Sequence, residues 1–241
     1  TLENGRLQPG RPARREGPPA RRAGPAGPAR LRAEGLSYTH GGTHRLLEPS
    51  SLELRAGAMT GLVGANGSGK TTVARLLSGF YAPPEGTVLF DGGAAGRAWL
   101  KENVRLVSAR PLNQLPGQTV EENLRCSLAS AGRRAPLSLG EGVELAGVGP
   151  LLGRRVSRLS YGELQKVLAL SSVLRAPEAL LLDEPLLSLD AAGLDSTLEL
   201  LGRFMAGGKG VLMISHMEEL VKDLCAGVYR MEGRAVRPAV L

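Results

Sequence analysis

An α/β fold with a mostly parallel central sheet is what this 241-residue sequence predicts, on three observations. Short apolar or β-branched runs alternate with longer helix-patterned stretches from Leu31 onward. A glycine-rich turn, Gly64 to Thr72, stands directly between one such run and one such stretch. A later run, Ala179 to Leu182, delivers Asp183 and Glu184 at its carboxyl end, where parallel sheets bind ligands.

Taken in order, the runs at Met59–Val63, Thr87–Phe90, Val104–Val107, Ala179–Leu182 and Val211–Ser215 read as strands. Helices are expected at Lys70–Ser78, Val120–Ala129, Tyr161–Leu174, Ala191–Phe204 and Glu218–Leu224. Thr119, followed by Glu121 and Glu122, is a cap and an acidic first turn for the second of these. Strand signals disappear between Gly117 and Arg158, which predicts a helical subdomain over about 117–175. Met231 to Val236 reads as the turn between two short final strands.

Composition bounds the rest. With 42% apolar residues the chain can bury a sizeable core, whereas its apolar runs, such as Val167–Leu170, fall far short of the roughly 18 residues of a membrane span. Cys126 and Cys225 lack metal-ligand spacing, so neither a disulfide framework nor a zinc site is expected, and a reducing compartment fits. The net charge of +7 is unevenly placed: residues 1–30 hold seven Arg against two Glu, leaving 23 basic and 21 acidic residues elsewhere. That segment, with six Pro and five Gly, reads as a disordered tail or inter-domain linker before a folded body at 31–241. A nucleic-acid partner is not expected. The body has no comparable basic excess, and the tail has no aromatic residue for base stacking.

Gly64-Ala65-Asn66-Gly67-Ser68-Gly69-Lys70-Thr71-Thr72 has the pattern GxxxxGK[ST] in the context that gives it meaning. Its glycines let successive N–H groups turn inward, and the following helix start adds a positive dipole end, so a triphosphate meets many donors at once. Lys70 would reach the β and γ phosphates; Thr71 and Asp183 would hold Mg²⁺; Glu184 would orient or deprotonate the attacking water.

Further motifs resemble those of the ABC ATPases. Leu159-Ser160-Tyr161-Gly162-Glu163 is similar to that family's signature, usually LSGGQ; Ser188-Leu189-Asp190 is similar to its D-loop, and His216 closes an apolar run as its switch histidine does. The resemblance spans about Leu31 to Val236 and implies a P-loop NTPase of ABC type with an antiparallel β edge. It also implies ATP and Mg²⁺ as ligands and a head-to-tail pairing with a second ABC ATPase, of the same or another chain. There Ser160, Gly162 and Glu163 would meet the partner's ATP, Asp190 would sit in the D-loop, and Glu184 and His216 would be catalytic. The base-stacking aromatic falls at His40 or Tyr38. Three departures stand out: Tyr161 and Glu163 replace Gly and Gln in the signature, and Ala109 stands where the family carries a Gln.

Pro111-Leu112-Asn113-Gln114-Leu115 and Thr119 to Asn123 resemble the ATPases of energy-coupling-factor transporters, importers of vitamins and transition-metal ions. This implies a transmembrane coupling subunit, a substrate-binding membrane subunit and a place at the cytoplasmic face of the membrane. Thr1 to Leu7 is similar to the closing turn of such a domain, so a tandem ATPase is one expectation. Ser215 to Glu219 also resembles small exporters, and a soluble ABC ATPase is a further alternative.

Overall fold

The computed structural model describes residues 27–41, 43–108, 111–186 and 188–239. The first half comprises β1 (Ala29–His40), β2 (His44–Arg55), β3 (Met59–Val63), α1 (Lys70–Leu77), β4 (Thr87–Phe90), β5 (Gly93–Ala94), α2 (Arg97–Asn103) and β6 (Val104–Val107). Three helices follow, α3 (Val120–Ala131), α4 (Leu139–Leu145) and α5 (Tyr161–Leu174). The chain then runs through β7 (Ala179–Asp183), α6 (Ala191–Ala206), β8 (Gly210–Ser215), α7 (Glu218–Leu224), β9 (Gly227–Glu232) and β10 (Ala235–Ala239).

Strands β3, β7 and β8 are buried along their whole length, as strands covered on both faces must be. They sit at the centre of a six-stranded sheet ordered β10-β9-β3-β8-β7-β6, parallel throughout except for β10. Alternation divides their side chains between two cores. Val63, Leu180, Leu182, Val211 and Met213 face a core with α5 and α6, where Leu168, Leu200 and Phe204 are buried. Leu62, Leu181, Leu212 and Ile214 face the other core, with Val73, Ala74, Leu76 and Leu77 of α1. Gly61 has no side chain because α7 packs there: a Cβ would overlap Val221.

A second sheet, antiparallel and ordered β2-β1-β4-β5, covers the α1 side through Leu31, Leu36, Leu47, Leu54 and Val88. The expected antiparallel edge is therefore a sheet of its own. Strand Thr87–Phe90 belongs to it and not to the parallel core. The folded body also begins earlier than residue 31. Gly27 N–H donates to Ala56 O at 2.9 Å, and Arg30 within β1 pairs with Asp91 at 3.0 Å and Glu178 at 3.2 Å. The remainder of the expected tail, residues 1–26, lies outside the described residues.

In the region 117–175, α3, α4 and α5 each start with a capping box, built on Thr119 with Glu122, Ser138 with Glu141, and Ser160 with Glu163. Helices α3 and α5 touch through a buried Ser127–Ser171 hydroxyl pair at 2.8 Å. The buried face of α5 reaches from this helical region onto the parallel sheet, so both share one core. Among the described residues, no helix is long and apolar enough to cross a membrane.

Candidate active site

The glycine-rich turn leaves the carboxyl end of β3, and three of its glycines have left-handed backbones: Gly64 at φ 153°, Gly67 at φ 77° and Gly69 at φ 109°. These are conformations that side chains disfavour. Space is short as well, since a Cβ on Gly64 would lie 2.9 Å from the Met231 Cβ. Lys70, almost fully buried, folds its ammonium back over the turn and donates to Gly64 O at 2.7 Å and Ala65 O at 2.9 Å. The Ser68 hydroxyl is buried in the same turn with no hydrogen-bond partner. An orphaned donor beside a buried cation, at a helix start, fits an anionic phosphate. Asn66 and Gly67 are exposed on the turn, and Thr72 lies in the first turn of α1.

Asp183 ends β7 beside this turn and accepts the Thr71 hydroxyl at 2.9 Å. Burial pushes its carboxyl above the ordinary range, opposed by the Thr71 hydrogen bond and by Lys70 and Arg75, and reinforced by the neighbouring Glu184 charge. A hydroxyl and a carboxylate are hard oxygen donors, the pair that suits Mg²⁺ when phosphates and waters complete its shell. Among the described residues, no group of three or more His, Cys, Asp or Glu could hold a metal without such help.

Glu184 has a left-handed backbone, φ 53°, unusual for a residue with a long side chain. Its N–H donates to Ile214 O at 2.9 Å, and its carboxylate is gripped by the end of β8. Ser215 Oγ donates to Oε2 at 2.8 Å, His216 N–H donates to Oε1 at 2.9 Å, and His216 Nδ1 meets Oε1 at 2.8 Å. With the carboxylate ionised, Nδ1 carries the hydrogen and Nε2 is the free ring nitrogen. Ser215 was missed in the sequence; the only signal was its place just before His216 at a strand end.

Tyr38, one of the two rings expected to meet a base, stacks one face on Tyr81 with centroids 4.6 Å apart, and Tyr81 in turn accepts from Arg75 of α1 at 2.8 Å. His40, the other, is exposed at the end of β1. Leu46 O of β2 lies 3.2 Å from where a Cβ on Gly69 would be, so this hairpin borders the turn.

Ser160 caps α5, and Gly162 lies against the segment leading into α6: a Cβ there would approach Ser188 O to 2.7 Å. Glu163, the signature residue expected to meet a partner's ATP, lies three positions after Ser160. Its carboxylate accepts Ser160 N–H at 2.7 Å and Arg154 at 2.7 Å, tying it into its own helix start. Asp190 likewise caps α6, accepting Gly193 N–H at 2.8 Å. Gln114 closes the turn Pro111–Gln114 onto the end of β6: its amide oxygen accepts from Ser108, and its amide N–H₂ donates to Leu106 O at 3.2 Å. Ala109 lies outside the described residues.

Residues 47–187 match the model of the family described as ABC transporter. The chain belongs to the ABC transporter family. It is similar to a zinc import ATP-binding protein of Paramagnetospirillum magneticum, 35% identical over 77% of this chain and 67% of that one. It is similar as well to an energy-coupling factor transporter ATP-binding protein of Thermotoga maritima, 30% identical over 81% and 76%. Among solved structures, the cbiO1 protein of Clostridium perfringens, part of the ABC transporter complex cbiONQ, superposes with a TM-score of 0.74 at 23% identity over 87% of each chain, a likeness of fold. This ABC transporter chain is thus of the ATP-binding, ATP-hydrolysing kind.

Proposed function

We propose that this chain is the ATPase subunit of an energy-coupling-factor importer that takes up a vitamin or a transition-metal ion. It would work at the cytoplasmic face of the membrane with a second ABC ATPase, a transmembrane coupling subunit and a substrate-binding membrane subunit. The observation that carries the chemistry is Glu184, held by Ser215 and His216 beside the Thr71–Asp183 pair. Support for the branch comes from the segment 111–123 and from relatives whose names are those of import and energy-coupling-factor proteins.

On this reading the phosphate loop binds the β and γ phosphates through its N–H groups, with the Ser68 hydroxyl donating to their oxygens and the Lys70 ammonium turning to them from the Gly64 and Ala65 carbonyls. Thr71 and Asp183 would hold Mg²⁺, which when bound supplies charge neutralisation on those phosphates. Glu184 takes the proton of the attacking water. His216 keeps that carboxylate aimed through Nδ1 while Nε2 faces the γ phosphate. The phosphate also needs donors from outside, and Ser160 with the Gly162 N–H, at the start of α5, supplies them to the partner's nucleotide.

Affinity isolation of the tagged chain from gently solubilised membranes tests the assignment. A coupling membrane protein with a small substrate-capturing membrane protein is expected. A single exporter-type permease, or no membrane protein at all, contradicts it.

A further inference from the structure

The signature carries a feature that a phosphate site should not tolerate. Glu163 places a carboxylate one helical turn from Ser160, on the helix start that the reading above turns toward a partner's γ phosphate. Its acidity is strengthened chiefly by the Ser160 N–H it accepts, then by the Ser160 hydroxyl and the Arg154 charge, so it stays ionised wherever ATP does. Coulomb repulsion between this anion and a phosphate would weaken binding unless a cation is fixed beside it.

Such a cation is present. Arg154 donates one arm to Glu163 Oε1 at 2.7 Å and the other to Arg158 O at 2.8 Å, so the guanidinium closes the loop that leads into the signature. Its backbone is anchored too: Val120 N–H at the start of α3 donates to Arg154 O at 3.1 Å, and two residues on, Val156 N–H donates to Gln118 O at 2.9 Å. Arg154 itself is thus held twice through its guanidinium and once through its carbonyl. Both members of the pair keep solvent contact, Arg154 at 44% and Glu163 at 26% side-chain exposure, which leaves the pair open to an incoming anion.

We propose that Arg154 is a positioning residue for ATP sandwiching: it neutralises Glu163 and fixes the start of α5, so that the Ser160 hydroxyl and the Gly162 N–H donate to the partner's γ phosphate. The inference rests on the two-chain reading of the site. Where the family's usual Gln stands in the signature, no such cation is needed, and this gives the pair its test.

The assembly as isolated is assayed for ATP turnover against ATP concentration with wild type, Arg154→Gln, Glu163→Gln, the double variant and Ser160→Ala. Arg154→Gln is expected to raise the half-saturating ATP concentration roughly tenfold at low salt, with the difference shrinking as ionic strength rises. Glu163→Gln alone leaves Arg154 as an uncompensated cation and should lower the half-saturating ATP concentration, and adding it to Arg154→Gln should restore the wild-type curve to within about twofold. An Arg154→Gln loss that Glu163→Gln does not rescue overturns the proposal, as does no loss in Arg154→Gln while Ser160→Ala still impairs turnover; in both cases the two-chain reading survives. Unimpaired turnover in Ser160→Ala removes the two-chain reading and this inference with it.

Discussion

Replacing Glu184 with Gln removes one oxygen's charge and little else, and the structure lets the consequence be worked out. The carboxylate accepts three hydrogen bonds, two at Oε1 from His216 and one at Oε2 from the Ser215 hydroxyl. Glutamine keeps the two at Oε1, and the Ser215 hydroxyl can rotate to accept from the new amide, so the end of β8 holds its place. The groups proposed to face the nucleotide, Lys70, Thr71 and Asp183, bond to the turn and to each other and not to Glu184. ATP affinity should therefore stay within about twofold. Turnover loses its base, which is typically worth a factor of 10² to 10⁴, or about 3–5 kcal/mol in the barrier. Phosphate release measured at saturating ATP, beside titration of a fluorescent ATP analogue, separates the two quantities. Turnover within threefold of wild type would refute the assignment of Glu184. A parallel loss of binding would show that the residue supports the pocket instead.

Two further substitutions probe the same site from other directions. Gly162→Ala places a methyl about 2.7 Å from Ser188 O, so the signature and the segment before α6 must part; turnover should fall at least about tenfold, while thermal unfolding shifts little, because alanine favours the helix by about 1 kcal/mol. Asp183→Asn should raise the thermal midpoint at neutral pH and abolish magnesium-dependent turnover. The sign follows from the raised folded-state pKa: burial penalises the charged carboxyl, a penalty absent below the unfolded pKa and fully present above the folded one. The gain in midpoint should therefore fade as pH falls through roughly 4, and a variant less stable than wild type at neutral pH would contradict the reasoning.

The parallel core was legible because β3, β7 and β8 are buried on both faces and read as unbroken apolar runs. The two longest strands were not. In β1 the alternation of Leu31 and Ala33 slips around Gly35 and resumes at Leu36, where the pairing with β2 shifts register; Pro49 interrupts the pattern of β2. Helix α2 buries only Leu100, so it shows no apolar stripe. Helix α4 contains two glycines, of which Gly142 packs closely, since a Cβ there would lie 2.7 Å from Leu170 Cδ1.

At the candidate site, the residues proposed to bind phosphate stood in the sequence because backbone chemistry dictates their spacing. The groups that orient them did not. Ser215 and Arg154 act through contacts between segments distant in the chain, 31 residues in one case and across the loop before α5 in the other. For Tyr38 and Glu163 the sequence marks the residue, and packing adds the neighbour: Tyr81 stacks on one ring face of the first, and the capping box engages the second.

The central claim is that Ser160 serves a nucleotide held by a different polypeptide. Tyr161, its exposed neighbour, is the place to ask. A photoreactive p-benzoylphenylalanine introduced at Tyr161 in the Glu184→Gln background, irradiated with and without ATP, reports what lies opposite. The account predicts an ATP-dependent cross-link between two polypeptides, ending on a phosphate-loop peptide such as that containing Gly64–Thr72. Cross-links confined to one polypeptide, or equally strong without ATP, would contradict it.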